Sequence, residues 1–325
     1  MTFPRRQFLR SAIAALSSPA LYGMARAANY PASPVRVLVG FAAGGGVDAT
    51  ARLLSQWLSD RLGVPFLVEN KPGAATNIAT ETGLKSPPDG YTLLIGFVTQ
   101  AVNASLYPNL NYNFVRDSAA IASISRGALV MVTHPSFPAR TIPEFIAYAK
   151  ANPGTVNMGS GGVGSPPHVA GELFKYMTGI QMAHIPYRGD APGLTDVMGG
   201  RIQVYFPGLA SAVELVHSGK LRALGVTTTG RSKVLPEVPT VAEFVPGYES
   251  STWYGFVAPK GTPAEVINII NREVNAGLAD PQLLAKIEAL GGEPIPMTPD
   301  AFKTFIVEET RKYAELVKVT NMKAD

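Results

Sequence analysis

Two glycine-rich stretches hold the residues of this chain best suited to chemistry. Ala42-Ala43-Gly44-Gly45-Gly46 follows the apolar run Val35 to Phe41, and Gly159-Ser160-Gly161-Gly162-Val163-Gly164 follows Val156 to Met158. Each precedes a helical pattern, so residues 42–48 and 159–165 set backbone N–H groups at a helix N-terminus, where the dipole favours an anion. Glycine lets the backbone approach a ligand closely and take up positive φ. One such loop is an ordinary strand-to-helix turn. Two in matching positions on different domains can face each other across a cleft and hold one carboxylate from both sides. Four hydrogen bonds to a charged group, about 1.5–3 kcal/mol each, give roughly 6–12 kcal/mol, against about 8 kcal/mol for micromolar binding.

Other chemistries fit these residues less well. The second loop formally matches GxGxxG, but a dinucleotide site wants an acid about 20 residues on, at the end of the next strand. Here that strand ends His184-Ile185-Pro186-Tyr187-Arg188, Asp190 comes after a turn, and Val163 and Pro166-Pro167 crowd the place of a pyrophosphate. Ser160 and Ser165 lie outside any GxSxG elbow, and Gly219-Lys220 lacks the rest of a Walker motif. His168, on the first helical turn, can donate to a ligand or simply cap and pack. The four histidines (His134, His168, His184, His217) are far apart in sequence and form no HExxH pair. With no cysteine among 325 residues, thiolate metal sites, disulfides and cysteine nucleophiles are excluded. We therefore expect no enzyme, no metal and no cofactor.

The elements that must position the loops read as a series of βα units. Val35 to Phe41, Phe66 to Val68 and Tyr91 to Phe97 are buried-strand runs. Between them Leu53, Leu54, Trp57, Leu58 and Leu62 form a helical ladder stopped by Gly63, and Asn77 to Leu84 can form a second helix. The pattern restarts with a strand at Leu129 to Thr133 and a capping box, Thr141 to Glu144, opening a helix through Lys150. Ser165 suits an N-cap and Pro166 a first helical position; Val169, Leu173, Phe174 and Met177 make the apolar stripe, and Gly179 ends it. Strands follow around Met182 to Tyr187, Gln203 to Phe206 and Arg222 to Thr227. A parallel α/β sheet in each half is expected. The last third, after a strand at Trp253 to Ala258, is helical (264–277, opened by a capping box at Thr262 to Glu265, then 281–290 and 299–318) with no new strand, as if the chain returns to finish an earlier domain.

Residues 1–27 have the order of an export signal: Arg5, Arg6 and Arg10, then a small-residue apolar stretch, then Ala25-Arg26-Ala27. The arginine pair followed by Phe8 and Leu9 resembles the twin-arginine motif. Cleavage near Ala27 would release a soluble periplasmic protein, since no stretch reaches the ~18 apolar residues that span a bilayer. The formal charge of +4 resides there: four of the 28 lysines and arginines, and none of the 24 acids, fall in 1–27, leaving 24 of each. The basic balance gives no ground for a nucleic-acid partner.

At this level of detail the chain resembles a known family. FAAGGGVDATAR (41–52), NKPGAATNI (70–78), PPDGYTLL (87–94), GSGGVGSPPHVAGELF (159–174), IPYRGDAPGLTDVMGGRIQVYF (185–206), LPEVPTVAEFVPGYE (235–249) and WYGFVAPKGTPAEVI (253–267) are similar, in order, to the periplasmic solute receptors of tripartite tricarboxylate transporters, the Bug family. The resemblance implies two α/β domains of the type II periplasmic-binding-protein plan, 28–126 plus 250–325 and 127–249, closing over a small carboxylate. It implies a non-enzymatic, monomeric receptor that delivers its solute to membrane permease subunits; a periplasmic carboxylate sensor acting on a signalling partner is the alternative. It assigns ligand contacts to Phe41, Gly45, Gly46 and Asp48 on one side and to Ser160, Gly161, Ser165 and His168 on the other. Asn77, Thr99, Asp196 and Phe206 are implied as lining positions, while Asp48 also reads as a first-turn acid stabilised by the helix dipole. One departure stands out: the family usually carries a small neutral residue where this chain has Asp190. Facing the cleft, Asp190 would repel a second carboxylate and favour an amine or hydroxyl; facing solvent, it would cap a helix starting near Ala191, which is the preferred reading at this stage.

Overall fold

The computed structural model describes residues 30–324, so segment 1–27, expected to direct export, lies outside the described residues. The strands are β1 (Val35–Val39), β2 (Phe66–Asn70), β3 (Thr92–Phe97), β4 (Ser118–Ala128), β5 (Val130–Thr133), β6 (Asn157–Ser160), β7 (Ala183–Pro186), β8 (Val204–Tyr205), β9 (Arg222–Val226), β10 (Ser251–Pro259) and β11 (Gly292–Pro294). The helices are α1 (Gly46–Leu62), α2 (Asn77–Leu84), α3 (Val98–Leu106), α4 (Phe114–Asp117), α5 (Ile142–Ala151), α6 (Pro166–Thr178), α7 (Asp190–Met198), α8 (Leu209–His217), α9 (Ala264–Leu278), α10 (Pro281–Ala289) and α11 (Pro299–Thr320).

The strands form two sheets, of six and five strands, ordered β11-β4-β10-β3-β1-β2 and β7-β6-β8-β5-β9. In the first, β1 pairs in parallel with β2 and β3, the arrangement that βα units dictate. β3 is buried along its whole length, which is why it reads as an unbroken apolar run rather than an alternation. β10 lies antiparallel between β3 and β4, pairing Tyr254 with Phe97 and Trp253 with Arg126. The late part of the chain thus completes a sheet begun at its start.

Apolar clusters cover both faces of each sheet. Leu54, Leu58 and Ile270 belong to one cluster on the first sheet, and Val102, Trp253 and Phe302 to the other. Phe145, Phe174 and Phe206 share a cluster in the second part of the chain, while Leu194, Leu209 and Val226 share another. Burying each such side chain contributes about 1.5–3 kcal/mol. The chain passes from β4 into β5 and returns at β10, and Ser251 pairs with Ala128, so the two crossings run side by side.

The local signals hold unevenly. α2 spans the predicted residues, and Gly63 and Gly179 end α1 and α6 in the left-handed conformation, with φ of 71° and 67°. The capping box at Thr262 does not form: its hydroxyl donates to the Pro259 carbonyl, and Pro263 caps α9 without a side-chain bond. At α5 Thr141 does accept the Glu144 N–H, but the Glu144 carboxylate takes the N–H of Arg140. The expectation of no strand after Ala258 is corrected by β11, whose Glu293 pairs with Arg126. An edge strand of this length needs only backbone partners and has no apolar signature. Among the described residues no helix is long and apolar enough to cross a membrane.

Candidate functional site

The first glycine-rich loop leaves the C-terminal end of β1 and enters α1. Its N-cap, Gly45, has an extended backbone and no side-chain cap, so the first N–H groups of α1 have no side-chain acceptor. Asp48, 3% exposed, accepts hydrogen bonds from the Gly44 N–H, the Arg52 Nε and the Asn70 Nδ2, each at 2.9 Å. Burial pushes the Asp48 pKa up, but Arg52, Gly44 and Asn70 together outweigh it and hold the carboxyl below its ordinary value. Asn70 also donates to the Phe41 carbonyl at 3.0 Å. Asp48 thus fastens the loop from inside.

Glycine is required at Gly44, where φ is +87°, while a Cβ at Gly45 would meet nothing nearer than 4.0 Å. A Cβ at Gly46 would stand 3.7 Å from the Tyr254 hydroxyl. Tyr254 closes an aromatic row: Phe41 meets Phe97 edge-on at 5.2 Å, and Phe97 meets Tyr254 at 5.3 Å.

Beside this loop the chain makes a left-handed turn of three consecutive non-glycine residues, Ala74, Ala75 and Thr76, with φ of 45°, 49° and 73°. Each costs about 1–2 kcal/mol and persists only where its surroundings over-determine it. The Asn103 Nδ2 donates to the Ala75 carbonyl at 2.7 Å and to Asn77 Oδ1 at 2.8 Å, and the Tyr112 hydroxyl donates to the same Asn77 oxygen at 2.6 Å. Asn77 is therefore held by two donors. Thr99, in the first turn of α3, is buried with its hydroxyl unpartnered among the described residues.

The second loop uses its donors differently. The Gly162 N–H donates to the Ser160 hydroxyl at 3.1 Å, the Gly164 N–H to His168 Nδ1 at 3.1 Å, and the Ser165 N–H to the Gly162 carbonyl at 3.1 Å. Pro166 and Pro167, which open α6, have no N–H to offer. The Ser165 hydroxyl donates to Gly162 O at 2.6 Å instead of capping the helix. Ser160 also shares a 2.6 Å hydrogen bond with His184 Nε2. His168, 4% exposed, accepts at Nδ1, so its ring is neutral; burial, then the neighbouring His184 and Lys175, pull its pKa down to about 3. The expected matched grip by two loops is thus uneven, because the second turn consumes most of its own amides.

Asp190 opens α7 after Gly189, whose φ is +99°. It caps nothing by its side chain and is only partly exposed, so the solvent-facing cap preferred from the sequence is corrected. Its Oδ1 accepts from the Tyr205 hydroxyl at 2.9 Å and lies 3.1 Å from where a Cβ on Gly161 would stand. Burial raises the Asp190 pKa, against the lowering effect of Tyr205 and the Gly208 amide. Burial also raises Tyr254, to about 12, with the Asp190 charge adding to the rise. Tyr254 thus stands beside the first loop and Asp190 beside the second.

The remaining two positions are tied to their own neighbours. Asp196 accepts from the Tyr187 hydroxyl and from Arg201, each at 2.7 Å, and Phe206 is fully buried with Phe174 at 5.9 Å. Tyr254 lies in the apolar run Trp253 to Ala258, whose pattern does not tell one face from the other. His184, Asn103 and Tyr112 carried no signal, because their partners lie 24 to 35 residues away.

Residues 50–322 match the model of the tripartite tricarboxylate transporter family receptor. The chain is 36% identical over 298 residues to protein BugT of Bordetella pertussis, covering 91% of each. Among solved structures it is similar to a periplasmic transporter, at 37% identity and a TM-score of 0.85 over 91% of this chain and all of that one. It is also similar to an adipate-bound protein of R. palustris, at 33% identity and a TM-score of 0.86, covering 90% of this chain and 99% of the other. Those structures share the two-domain α/β fold of periplasmic binding proteins.

Proposed function

Because the chain belongs to the tripartite tricarboxylate transporter receptor family, a family of solute-binding receptors and not of enzymes, we propose that it binds a small carboxylate and hands it to a membrane transporter of that type. The observation that carries this reading is the open N-terminus of α1. Gly45 and Gly46 leave its first amides uncovered, the dipole adds positive potential, and Asp48 fastens the loop from behind. The adipate held by the R. palustris relative supports a carboxylate as the class of ligand.

In this reading Phe41, Gly45 and Gly46 meet the ligand from the first side, with Asp48 positioning them and Asn77 and Thr99 lining the space behind. Ser160, Gly161, Ser165 and His168 shape the second side, with Asp196 and Phe206 as more distant supports. The domains are 28–126 plus 250–325 and 127–249, and the paired crossings at Ala128 and Ser251 act as the hinge. Closure around the solute changes the surface that the permease subunits meet. Residues 1–27 direct export, so the receptor works in the periplasm as a soluble monomer.

A thermal-shift screen of carboxylates against the chain beginning at Ala28 tests this. A ligand at a hundred times its Kd stabilises the folded state by about 2.7 kcal/mol and raises the melting temperature accordingly. Stabilisation by nucleotides and by no carboxylate would overturn the reading.

A further inference from the structure

The left-handed turn at Ala74, Ala75 and Thr76 is held from two directions. From within α2 the Thr80 hydroxyl donates to the Thr76 carbonyl at 3.0 Å, and from α3 Asn103 donates to the Ala75 carbonyl at 2.7 Å and to Asn77 Oδ1 at 2.8 Å. The same turn abuts the first glycine-rich loop. Thr76 Cβ lies 2.6 Å from where a Cβ on Gly40 would stand, so the chain just ahead of Phe41 meets the turn with room for a hydrogen only. A shift of the turn is therefore felt where the first loop begins.

Asn103 turns its remaining atom toward the second loop. Its side chain is fully buried, and Oδ1 has no hydrogen-bond partner among the described residues. That oxygen and Leu106 Cδ2 each lie 3.1 Å from the Cβ position of Gly164, with Val102 Cγ1 at 3.7 Å. Leu106 is one turn beyond Val102 and Asn103, so the three share a face of α3 and make a seat that suits glycine, which Gly164 occupies with φ of +73°. Val163 and Val169 pack into the apolar cluster that holds Val102 and Leu106. Because α3 follows β3 of the first sheet and Gly164 follows β6 of the second, the seat joins the two parts of the chain. An unbroken line of packed atoms thus runs from Gly164 through Asn103 and the turn to Gly40.

We infer that Asn103 is a positioning residue that couples the two glycine-rich loops. Seating of Gly164 on α3 keeps the Asn103 amide against the turn, and the turn sets the first loop, where the carboxylate binds on the receptor reading that this consequence rests on. The element that both loops bias is the turn itself, whose left-handed residues persist only while their surroundings over-determine them. A role in packing alone would lower stability and leave the loops independent.

Hydrogen exchange over residues 74–84 tests the coupling without a ligand, with exchange in α9 as the gauge of global stability. Gly164→Ala sets a methyl group against Asn103 and Leu106 and is expected to speed exchange in that segment at least about fivefold, although it lies on the other part of the chain. Asn103→Ala speeds it similarly, and Gly164→Ala then adds nothing. Tyr112→Phe removes the other donor to Asn77 but leaves Asn103 in place, so there Gly164→Ala keeps its full effect. Val163→Ser loosens the same seat without backbone strain and replaces Gly164→Ala if that variant does not fold. Titration with adipate, succinate and malate gives the second readout: each single variant weakens the best of them about fivefold or more, and the double variant weakens it no further. Exchange at 74–84 unmoved by the second-loop variants, or effects that simply add, overturns the inference while carboxylate binding stands. Coupled exchange in a chain that binds none of the three acids supports the inference and counts against the receptor reading alone.

Discussion

His168 and His184 stack face to face, ring centroids 3.8 Å apart and planes 16° from parallel, beneath the second glycine-rich loop. They come from different elements, α6 and β7, and each ring serves that loop: His168 accepts the Gly164 N–H and His184 bonds Ser160. Protonating His168 at Nδ1 would remove the acceptor of the Gly164 N–H, so the loop requires that ring neutral.

That arrangement predicts acid lability. In the folded state the His168 pKa is about 3, against 6.5 unfolded, so the folded form binds fewer protons. Its contribution is complete above pH 6.5 and is lost as pH falls toward 3, at no more than about 1.4 kcal/mol per pH unit. His168→Asn, whose Oδ1 can replace Nδ1 as acceptor without titrating, should be less stable than wild type at pH 7 yet flatter between pH 6 and 4. Urea unfolding across that range checks it; parallel pH profiles would remove His168 from the account.

Asp48 predicts a stability effect and, through the loop, an affinity effect. Asp48→Ala removes the acceptor of Gly44, Arg52 and Asn70, and three hydrogen bonds at about 1 kcal/mol each predict a loss of roughly 3 kcal/mol in denaturant unfolding. Arg52→Ala should lose about 1 kcal/mol or less, because the guanidinium is half exposed and Asp48 keeps Gly44 and Asn70. A double-mutant cycle isolates the pair.

Gly45 and Ser165 should respond oppositely. Gly45 has an ordinary φ of −84° and open space around it, so Gly45→Val should alter stability by less than about 1 kcal/mol while its side chain covers the α1 amides and weakens carboxylates at least about tenfold. Ser165→Ala deletes an internal 2.6 Å bond, so it should cost about 1 kcal/mol of stability and weaken binding much less. Titration and melting measured on the same preparations decide it.

Tyr254→Phe removes the hydroxyl beside Gly46 and keeps the ring on Phe97. A hydrogen bond of about 1 kcal/mol predicts a roughly fivefold loss of affinity with little change in melting temperature. An unchanged affinity would show that the hydroxyl faces only its neighbours.

Much of the architecture is legible in local patterns because its causes are local. Gly63 and Gly179 stop helices through their own backbone freedom, α2 follows the predicted bounds, and the apolar runs of β1 and β3 are strands. Two strands that escaped notice depend on distant partners. β4 is rich in small residues and is a strand because β10, more than 120 residues later, lies beside it; β11 exists only through β4. The capping box at Thr262 matched its pattern and still failed, since the helix takes Pro263, one residue later, as its N-cap.

The candidate site divides in the same way. The two glycine-rich helix starts, the family they belong to and the basic charge of residues 1–27 are properties of short stretches, and the sequence alone determined them. Which amides remain uncovered was decided by folding: Asp48 turns inward to Gly44 and Asn70, and His168 takes the Gly164 amide. So was the direction of Asp190, a residue that could equally have capped its helix in water. Tyr205 and Gly161, 15 residues later and 29 earlier, hold it against the second loop. A side chain's orientation follows from the partners that compete for it, and only the tertiary structure brings those partners within reach.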